Sequence, residues 1–407
     1  MKAVVIGPGR VGCGFVGQQL RASGFEVIFA ARNPQVVAHL NRVGRYRIRL
    51  VGGSRAEEIL VEGIRAVPLS NLDAVAREIA EADVVATAVT VAGLPDIARP
   101  LAVGLRRRAA PANVLAFENL IDAGSQLRAL VARHLPDTGL HGFSGALVSR
   151  AIASRLGDVR GNEPLTFVGD APASFLVDGQ SLRWPLPAIE GMVAVEDYRM
   201  HALSKLYTFS AGHATAAYLG HLKGYRYIHT AIRDAEIRAA VLGAMHEGHQ
   251  ALSAEYGARF AGSGEDLSAI TARFDNAGLN DPVSRVGREP LRKLGSEDRL
   301  VGAARMAERC GVRPAYLILA IAAALCFEHE DDPSSLALQR ELTAGGVVRV
   351  LRDTCRLTPS SPLGRDVMEA RARLASGSGD GNVLLRLRDM LWASEIDPGP
   401  SRTERSA

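Results

Sequence analysis

Lysine is scarce in this chain. Of its 48 lysines and arginines only Lys2, Lys205, Lys223 and Lys293 are lysine, which leaves 44 arginines. Arginine stays protonated throughout the physiological range, whereas a desolvated lysine can titrate near neutrality. Cysteine is equally sparse. Cys13, Cys310, Cys326 and Cys355 are scattered and form no C-x-x-C pair, so neither a disulfide framework nor a cysteine zinc site is expected. No apolar run is long enough to span a bilayer, and no charged-then-apolar leader precedes the strand-like Ala3-Val-Val-Ile6. The expectation is a cytoplasmic protein with no membrane partner. The net charge is +4, but basic and acidic residues are interspersed. Even the densest basic run, Arg106-Arg107-Arg108, reads as a solvated helix end, so no nucleic-acid partner is expected.

What is present is an ordinary globular composition. The 407 residues are 47% hydrophobic and 23% charged, and the length suggests two domains. Residues 2–6 read as a strand. They run into Gly7-Pro-Gly9-Arg10-Val11-Gly12-Cys-Gly14-Phe-Val-Gly17, which opens a helix ending near Gly24, and Phe25–Ala30 reads as the next strand. Strand, glycine turn, helix and strand are the context in which G-x-G-x-x-G means a dinucleotide site. The first glycine allows a tight turn, the second lets backbone approach a pyrophosphate, and the third lets helix pack on strand; the helix N-terminus then holds the phosphates.

An NAD site would show an Asp or Glu at the end of the second strand, for the ribose hydroxyls. Here the chain reads Ala31-Arg32-Asn33-Pro34. A guanidinium there suits a 2′-phosphate, so NADP(H) is expected in preference to NAD(H). Asp83–Val89 reads as a buried parallel strand whose carboxyl end, around Ala88 and Thr90, should approach the nicotinamide half. Strands are also expected at 46–51, 113–117, 165–168 and 175–177, and helices at 71–82 and 94–108. The fold class is α/β: a Rossmann-like doubly wound unit over 1–188, then a mostly helical substrate unit over 189–397 and a disordered tail over 398–407. The helical patterns run over 195–220, 227–256, 265–274, 290–310, 316–328, 335–351 and 361–374, with a loop at 376–381 and a last helix at 382–393.

Within the first of those helices lies Lys205-Leu-Tyr-Thr-Phe-Ser210-Ala-Gly-His213. On an α-helix eight residues turn through about 800°, which would set Lys205 and His213 about 80° apart in azimuth. A cation that loses its water must be paired or put to use. Arg285, Arg288, Arg292, Lys293 and Arg299 form a basic segment able to clamp an anionic group. His246-Glu-Gly-His249 has one-turn spacing but no third ligand, so no metal is expected.

Several separated blocks resemble the polyol-specific long-chain dehydrogenase/reductase family, in its mannitol-1-phosphate 5-dehydrogenase branch. They include Gly14-Phe-Val-Gly17, Glu118-Asn119, Lys205…His213-Ala-Thr-Ala-Ala-Tyr-Leu-Gly220 and Ala231–Arg238. Arg273-Phe, Asn276, Asp281, Arg285-Val-Gly-Arg288-Glu-Pro-Leu-Arg-Lys-Leu294, Asp298-Arg-Leu300, Phe327 and Asp331-Asp-Pro333 follow in order. The resemblance covers nearly the whole chain. It implies a ketone–alcohol oxidoreductase in which Lys205 is the acid–base group, Asn119 a donor to the substrate oxygen and His213 a positioning residue. Such a base needs a pKa brought down from about 10.4 toward about 7–8.

The chain departs from the family pattern at Ser210, where the family has asparagine, at Ser149, where it has Asp before Arg150, and at Ala31, where it has Asp. Ser149, Arg150, Ser210, Arg285 and Arg288 are expected at the substrate. The substrate expected is a small molecule, acyclic, polyhydroxylated or anionic and most simply phosphorylated, turned over in a biosynthetic direction by a monomer or homodimer. The alternatives are an NAD-linked mannitol-1-phosphate 5-dehydrogenase proper and a non-catalytic NADP sensor.

Overall fold

The computed structural model describes residues 1–52, 56–260 and 266–375. The loop expected at 376–381, the helix at 382–393 and the tail at 398–407 lie outside the described residues. The chain divides into two compact units, Met1–Ala202 and Leu203 onward.

The first unit begins as the sequence suggests. β1 (Lys2–Ile6) leads through the glycine turn into a π-helical segment, Gly12–Gly17, continued by α1 (Gln18–Ala22) and β2 (Glu26–Ala31). Then come α2 (Pro34–Val43), β3 (Arg45–Leu50), β4 (Glu57–Glu62), β5 (Ile64–Pro68) and α3 (Leu72–Glu81). β6 (Val84–Thr87), α4 (Leu94–Arg106), β7 (Asn113–Ala116), α5 (Ala123–Ala132) and β8 (Gly142–Val148) complete the doubly wound part. β9 (Ile152–Leu156), β10 (Thr166–Gly169), β11 (Phe175–Asp178) and β12 (Met192–Val195) follow.

The main sheet has the order β12-β11-β8-β7-β6-β1-β2-β5. Its strands are parallel except where β11 runs against β8. β1 lies between β2 and β6, with Val4 opposite both Ile28 and Val85. Ala3 and Val5 enter one core and Val4 and Ile6 the other, so both faces are covered, as a parallel sheet requires. β12 pairs with β11, which carries the sheet past the break expected at 188.

A second sheet, β4-β3-β10-β9, packs on the π-helical segment. A Cβ on Gly14 would lie 3.1 Å from Ile152 and 3.3 Å from Phe167, and one on Gly17 2.5 Å from the Tyr46 hydroxyl. Gly14 and Gly17 therefore serve this sheet, while Gly7, Gly9 and Gly12 form the turn. β4, β5, β8, β9 and β12 were not expected from the sequence. In β8, a Cβ on Gly145 would fall 2.6 Å from the Tyr198 hydroxyl, so a glycine-containing strand is set by tertiary packing.

α6 (Tyr198–Lys205), a π-turn at Leu206–Ser210 and α7 (Ala211–Leu222) form the start of the helical region. α8 (Ile228–Ala231) and α9 (Ala235–Tyr256) replace the single helix expected over 227–256; Asp234 caps α9 through the N–H groups of Glu236 and Ile237. α10 (Leu267–Phe274), α11 (Val283–Gly287), α12 (Pro290–Lys293) and α13 (Val301–Arg309) follow, so the helix expected over 290–310 is two. α14 (Ala315–Leu325), α15 (Pro333–Asp353, broken at Gly346) and α16 (Pro362–Ala375) end the described chain.

α7 is buried among α9, α11 and α14. Pro314 offers α14 no side-chain cap; Glu247 of α9 supplies one, accepting the N–H groups of Tyr316 (2.8 Å) and Leu317 (2.9 Å). Glu247 of the H-E-x-H segment is thereby used as a cap. Among the described residues no helix is long and apolar enough to cross a membrane, and no cluster of three or more His, Cys, Asp or Glu is placed to hold a metal.

Candidate active site

The turn after β1 is shaped by close backbone contacts. Gly7 has φ +104°, and a Cβ there would lie 2.6 Å from the Ala88 carbonyl oxygen. A Cβ on Gly12 would lie 1.9 Å from the Gly7 oxygen. Both must be glycine for the protein's own sake. Gly9 differs, because a Cβ there would meet no atom of the described residues within 4 Å. Among the described residues the space beside Gly9 is therefore open, and it fits a dinucleotide pyrophosphate at the mouth of the helix. Gly7 N–H donates to the Ala30 carbonyl and Gly9 N–H to that of Gly7, which fixes the loop over β2. Arg10 and Val11 follow as the first helical residues. The loop sits where the strand order reverses, between β1 and β6, which is where open α/β sheets bind ligands.

β2 ends in the buried Ala31, and Arg32 follows, exposed and 3.3 Å from the equally exposed Asp96. Asn33 then caps α2 through the Gln35 N–H, with Pro34 at its first turn. No carboxylate stands at the strand end. Asn119 lies exposed one residue after the buried Glu118, beyond the end of β7.

In the second unit the stretch from Lys205 to His213 departs from the expected geometry. The Ala211 N–H bonds the Leu206 carbonyl, an i→i+5 bond that takes up one extra residue. Eight steps then behave as seven, about 700°, and the two side chains share one face within about 20° rather than 80°. Lys205 and His213 are half-buried and Ser210, between them, is 5% exposed.

His213 stacks on Phe274 at 4.9 Å and meets Phe209 edge-on at 5.8 Å. Its Nε2 lies 3.3 Å from Asp281, whose carboxylate is also held by both arms of Arg285. Burial lowers the imidazole pKa, and Arg285 and Lys293 add to that; Asp281 opposes it. For Asp281, burial pushes upward, but His213 and Arg285 outweigh it and leave the carboxyl at about 2. Asp281 was noted in the sequence only as part of the resemblance; an aspartate four residues before an arginine was the available signal.

The basic segment is mostly committed to the protein. Arg292 pairs with Glu289 and Asp298, and Arg299 with Asp298. Lys293 is buried and donates to the carbonyls of Val286 (2.7 Å) and Arg288. Burial, with Arg299 and Arg292 alongside, depresses its ammonium well below the usual lysine range. Arg288 alone of the five is exposed, and it makes no ion pair among the described residues. It sits on a strained turn. Glu289 has φ 60°, held by its N–H to Asp332 (2.9 Å).

Two residues expected at the substrate are placed in the first unit. Ser149 Oγ is 3.4 Å from Ser174 Oγ. Arg150 is 5% exposed. Its guanidinium donates to Gly14 O (3.1 Å), Gln18 Oε1 (2.6 Å) and Pro172 O (3.0 Å) and lies over the Phe15 ring. Arg150 is thus tied to the glycine helix and its π-helical segment through its Nη1, and to Pro172 through its Nε.

The relatives of this Rossmann unit and helical unit make the chain a nicotinamide-dependent dehydrogenase acting on CH–OH groups. Residues 1–149 match the mannitol dehydrogenase Rossmann domain and 195–350 the mannitol dehydrogenase C-terminal domain. The chain belongs to the mannitol dehydrogenase family. It is 36% identical to the mannitol-1-phosphate 5-dehydrogenase of Brevibacillus brevis over 93% of this chain and all of the relative. It is 37% identical to that of Bacillus licheniformis over 88% of this chain and 96% of the relative. Among solved structures, the Pseudomonas fluorescens mannitol 2-dehydrogenase ternary complex with NAD and D-mannitol superposes with TM-score 0.76 at 16% identity, covering 96% of this chain and 94% of that one. A D-sorbitol dehydrogenase gives 0.72 at 14% identity, with 94% of each chain covered.

Proposed function

We propose that this protein interconverts a ketone and a secondary alcohol on an acyclic sugar phosphate, with NADP(H) and with Lys205 as the acid–base group. The observation that carries this reading is the π-turn that sets Lys205, Ser210 and His213 on one face. The relatives named mannitol-1-phosphate 5-dehydrogenase make fructose 6-phosphate and mannitol 1-phosphate the first pair to test.

The bound dinucleotide supplies or takes up the hydride. The Lys205 ammonium gives its proton to the ketone oxygen on reduction, and the amine recovers it on oxidation. Asn119 is assigned as donor to that oxygen; such a donor lowers the barrier by about 2.7–4 kcal/mol. His213 is neutral, and its Nε2–H is directed to Asp281, which leaves Nδ1 to accept from a substrate hydroxyl. Ser210 donates through a shorter arm than the family's asparagine. Arg288 meets the phosphate and Arg285 holds Asp281. The absence of a carboxylate after β2 and the presence of Arg32 support NADP(H), and reduction as the working direction.

Steady-state NADPH and NADH oxidation with a panel of ketose phosphates tests the reading. Lys205→Ala should lower kcat at least a hundredfold. Arg32→Ala should raise KM for NADPH alone. Full activity in Lys205→Ala, or no turnover across the panel, overturns it. The second reading, an NAD-linked mannitol-1-phosphate 5-dehydrogenase, is favoured by the exposure of Arg32 and its pairing with Asp96. It predicts that Arg32→Ala changes neither nucleotide's KM.

A further inference from the structure

At the carboxyl edge of the main sheet, the ladder between β6 and β7 ends with Phe117 N–H donating to the Thr87 carbonyl, and that between β6 and β1 with Ala88 N–H donating to the Ile6 carbonyl. The next polar groups have no strand to bond. Glu118 takes them. Its two oxygens accept the Thr87 hydroxyl (2.8 Å) and the Val89 N–H (2.9 Å). The residue is 4% exposed, and without it a buried hydroxyl and N–H would be left without acceptors. The peptide it holds is the one that Gly7 packs against: a Cβ on Gly7 would lie 2.6 Å from Ala88 O and 3.1 Å from the Val89 side chain. Asn119 is the next residue.

We propose that Glu118 is a positioning residue for the nicotinamide half of the dinucleotide site, holding the Ala88–Val89 peptide against the glycine loop and fixing the base from which Asn119 projects. The inference rests on the dinucleotide role of the first unit. The ionised carboxylate accepts both bonds; a proton on the oxygen facing Val89 sets a donor against that N–H, and one on the oxygen facing Thr87 forces the hydroxyl to turn from donor to acceptor. Burial pushes this carboxyl up to about 7, against the hydrogen bonds from Thr87, Val89 N–H and its own N–H. Among the described residues no ion pair reaches it, and the groups acting on it are those of its own segment and of the end of β6. Both forms are therefore present near neutral pH, and the ionised form gives the tighter cofactor site.

Binding of NADPH and NADH without substrate, followed by nicotinamide fluorescence from pH 6 to 8.5, tests this. In the unaltered protein the dissociation constant should fall several-fold as pH rises through about 7. Glu118→Gln should bind about tenfold more weakly and lose that transition. Thr87→Val removes a donor that favours the ionised form, so it should move the transition to higher pH. This near-isosteric change also carries the test if Glu118→Gln does not fold. A transition unchanged in Glu118→Gln or in Thr87→Val overturns the proposal, as does nucleotide binding that is flat with pH. Failure of the unaltered protein to bind either nucleotide overturns the dinucleotide role itself.

Discussion

Gly9→Ala should weaken cofactor binding without weakening the fold. An ideal Cβ at this position meets no atom of the described residues within 4 Å, and Gly9 is not among the residues with positive φ. Alanine therefore costs the free protein little, and the melting temperature should stay within a degree or two. Only a group bound in that space collides with the methyl. The expected effect is at least a tenfold rise in the dissociation constants of NADPH and NADH, or about 1.4 kcal/mol. Gly12→Ala is the control. Its Cβ would lie 1.9 Å from Gly7 O, more than an ångström short of the 3.0 Å below which something must shift. The loop must move, so overpacking of about 1–3 kcal/mol should lower the melting temperature as well as abolish binding. Fluorescence titration and thermal unfolding of the two variants read both quantities. Gly9→Ala binding nucleotide as tightly as the unaltered protein would refute the assignment of this space to the pyrophosphate.

Three further perturbations follow from buried polar groups. Burial pushes the Glu247 carboxyl up to about 7, so the folded chain keeps a proton that the unfolded chain releases near 4.5. That contribution is complete below about pH 4.5 and lost as pH rises through 7. It amounts to about 3 kcal/mol at most. Glu247→Gln should flatten the denaturant-measured stability profile between pH 5 and 8, and an unchanged slope would contradict this. Asp281→Asn leaves Arg285 and His213 without their shared carboxylate and should cost about 3 kcal/mol. Adding Arg285→Met should restore part of it; strict additivity in that cycle would show the pair is not coupled. Tyr46 carries a buried hydroxyl with no partner among the described residues, so Tyr46→Phe should raise stability by about 1 kcal/mol in thermal unfolding, and a loss of that size would mean the hydroxyl is satisfied.

The first β–turn–α–β unit, the parallel strands at 84–87 and 113–116 and the helical second half were legible because each rests on local information. Glycine needs at a turn, period-two and period-3.6 patterning, and caps are all carried by residues near one another in sequence. The resemblance blocks added Lys205, Asn119 and His213 by position alone.

What only the tertiary structure decided concerns groups that meet across long stretches of chain. The spacing of Lys205 and His213 predicts side chains a quarter-turn apart; the i→i+5 bond at Leu206 brings them onto one face, and a one-residue change in helical register leaves no mark in composition. Arg150 bonds Gly14, Gln18 and Pro172 through Nε and Nη1, contacts between residues more than twenty positions apart that no local pattern announces. Glu118 stood out in sequence only within the resemblance block Glu118-Asn119, and Glu247 only within His246-Glu-Gly-His249. Their roles as acceptors for N–H groups of distant segments exist only once β6 meets β7 and α9 meets α14. Backbone groups freed at the ends of elements must find partners, and which side chain arrives is settled by packing rather than by the local pattern.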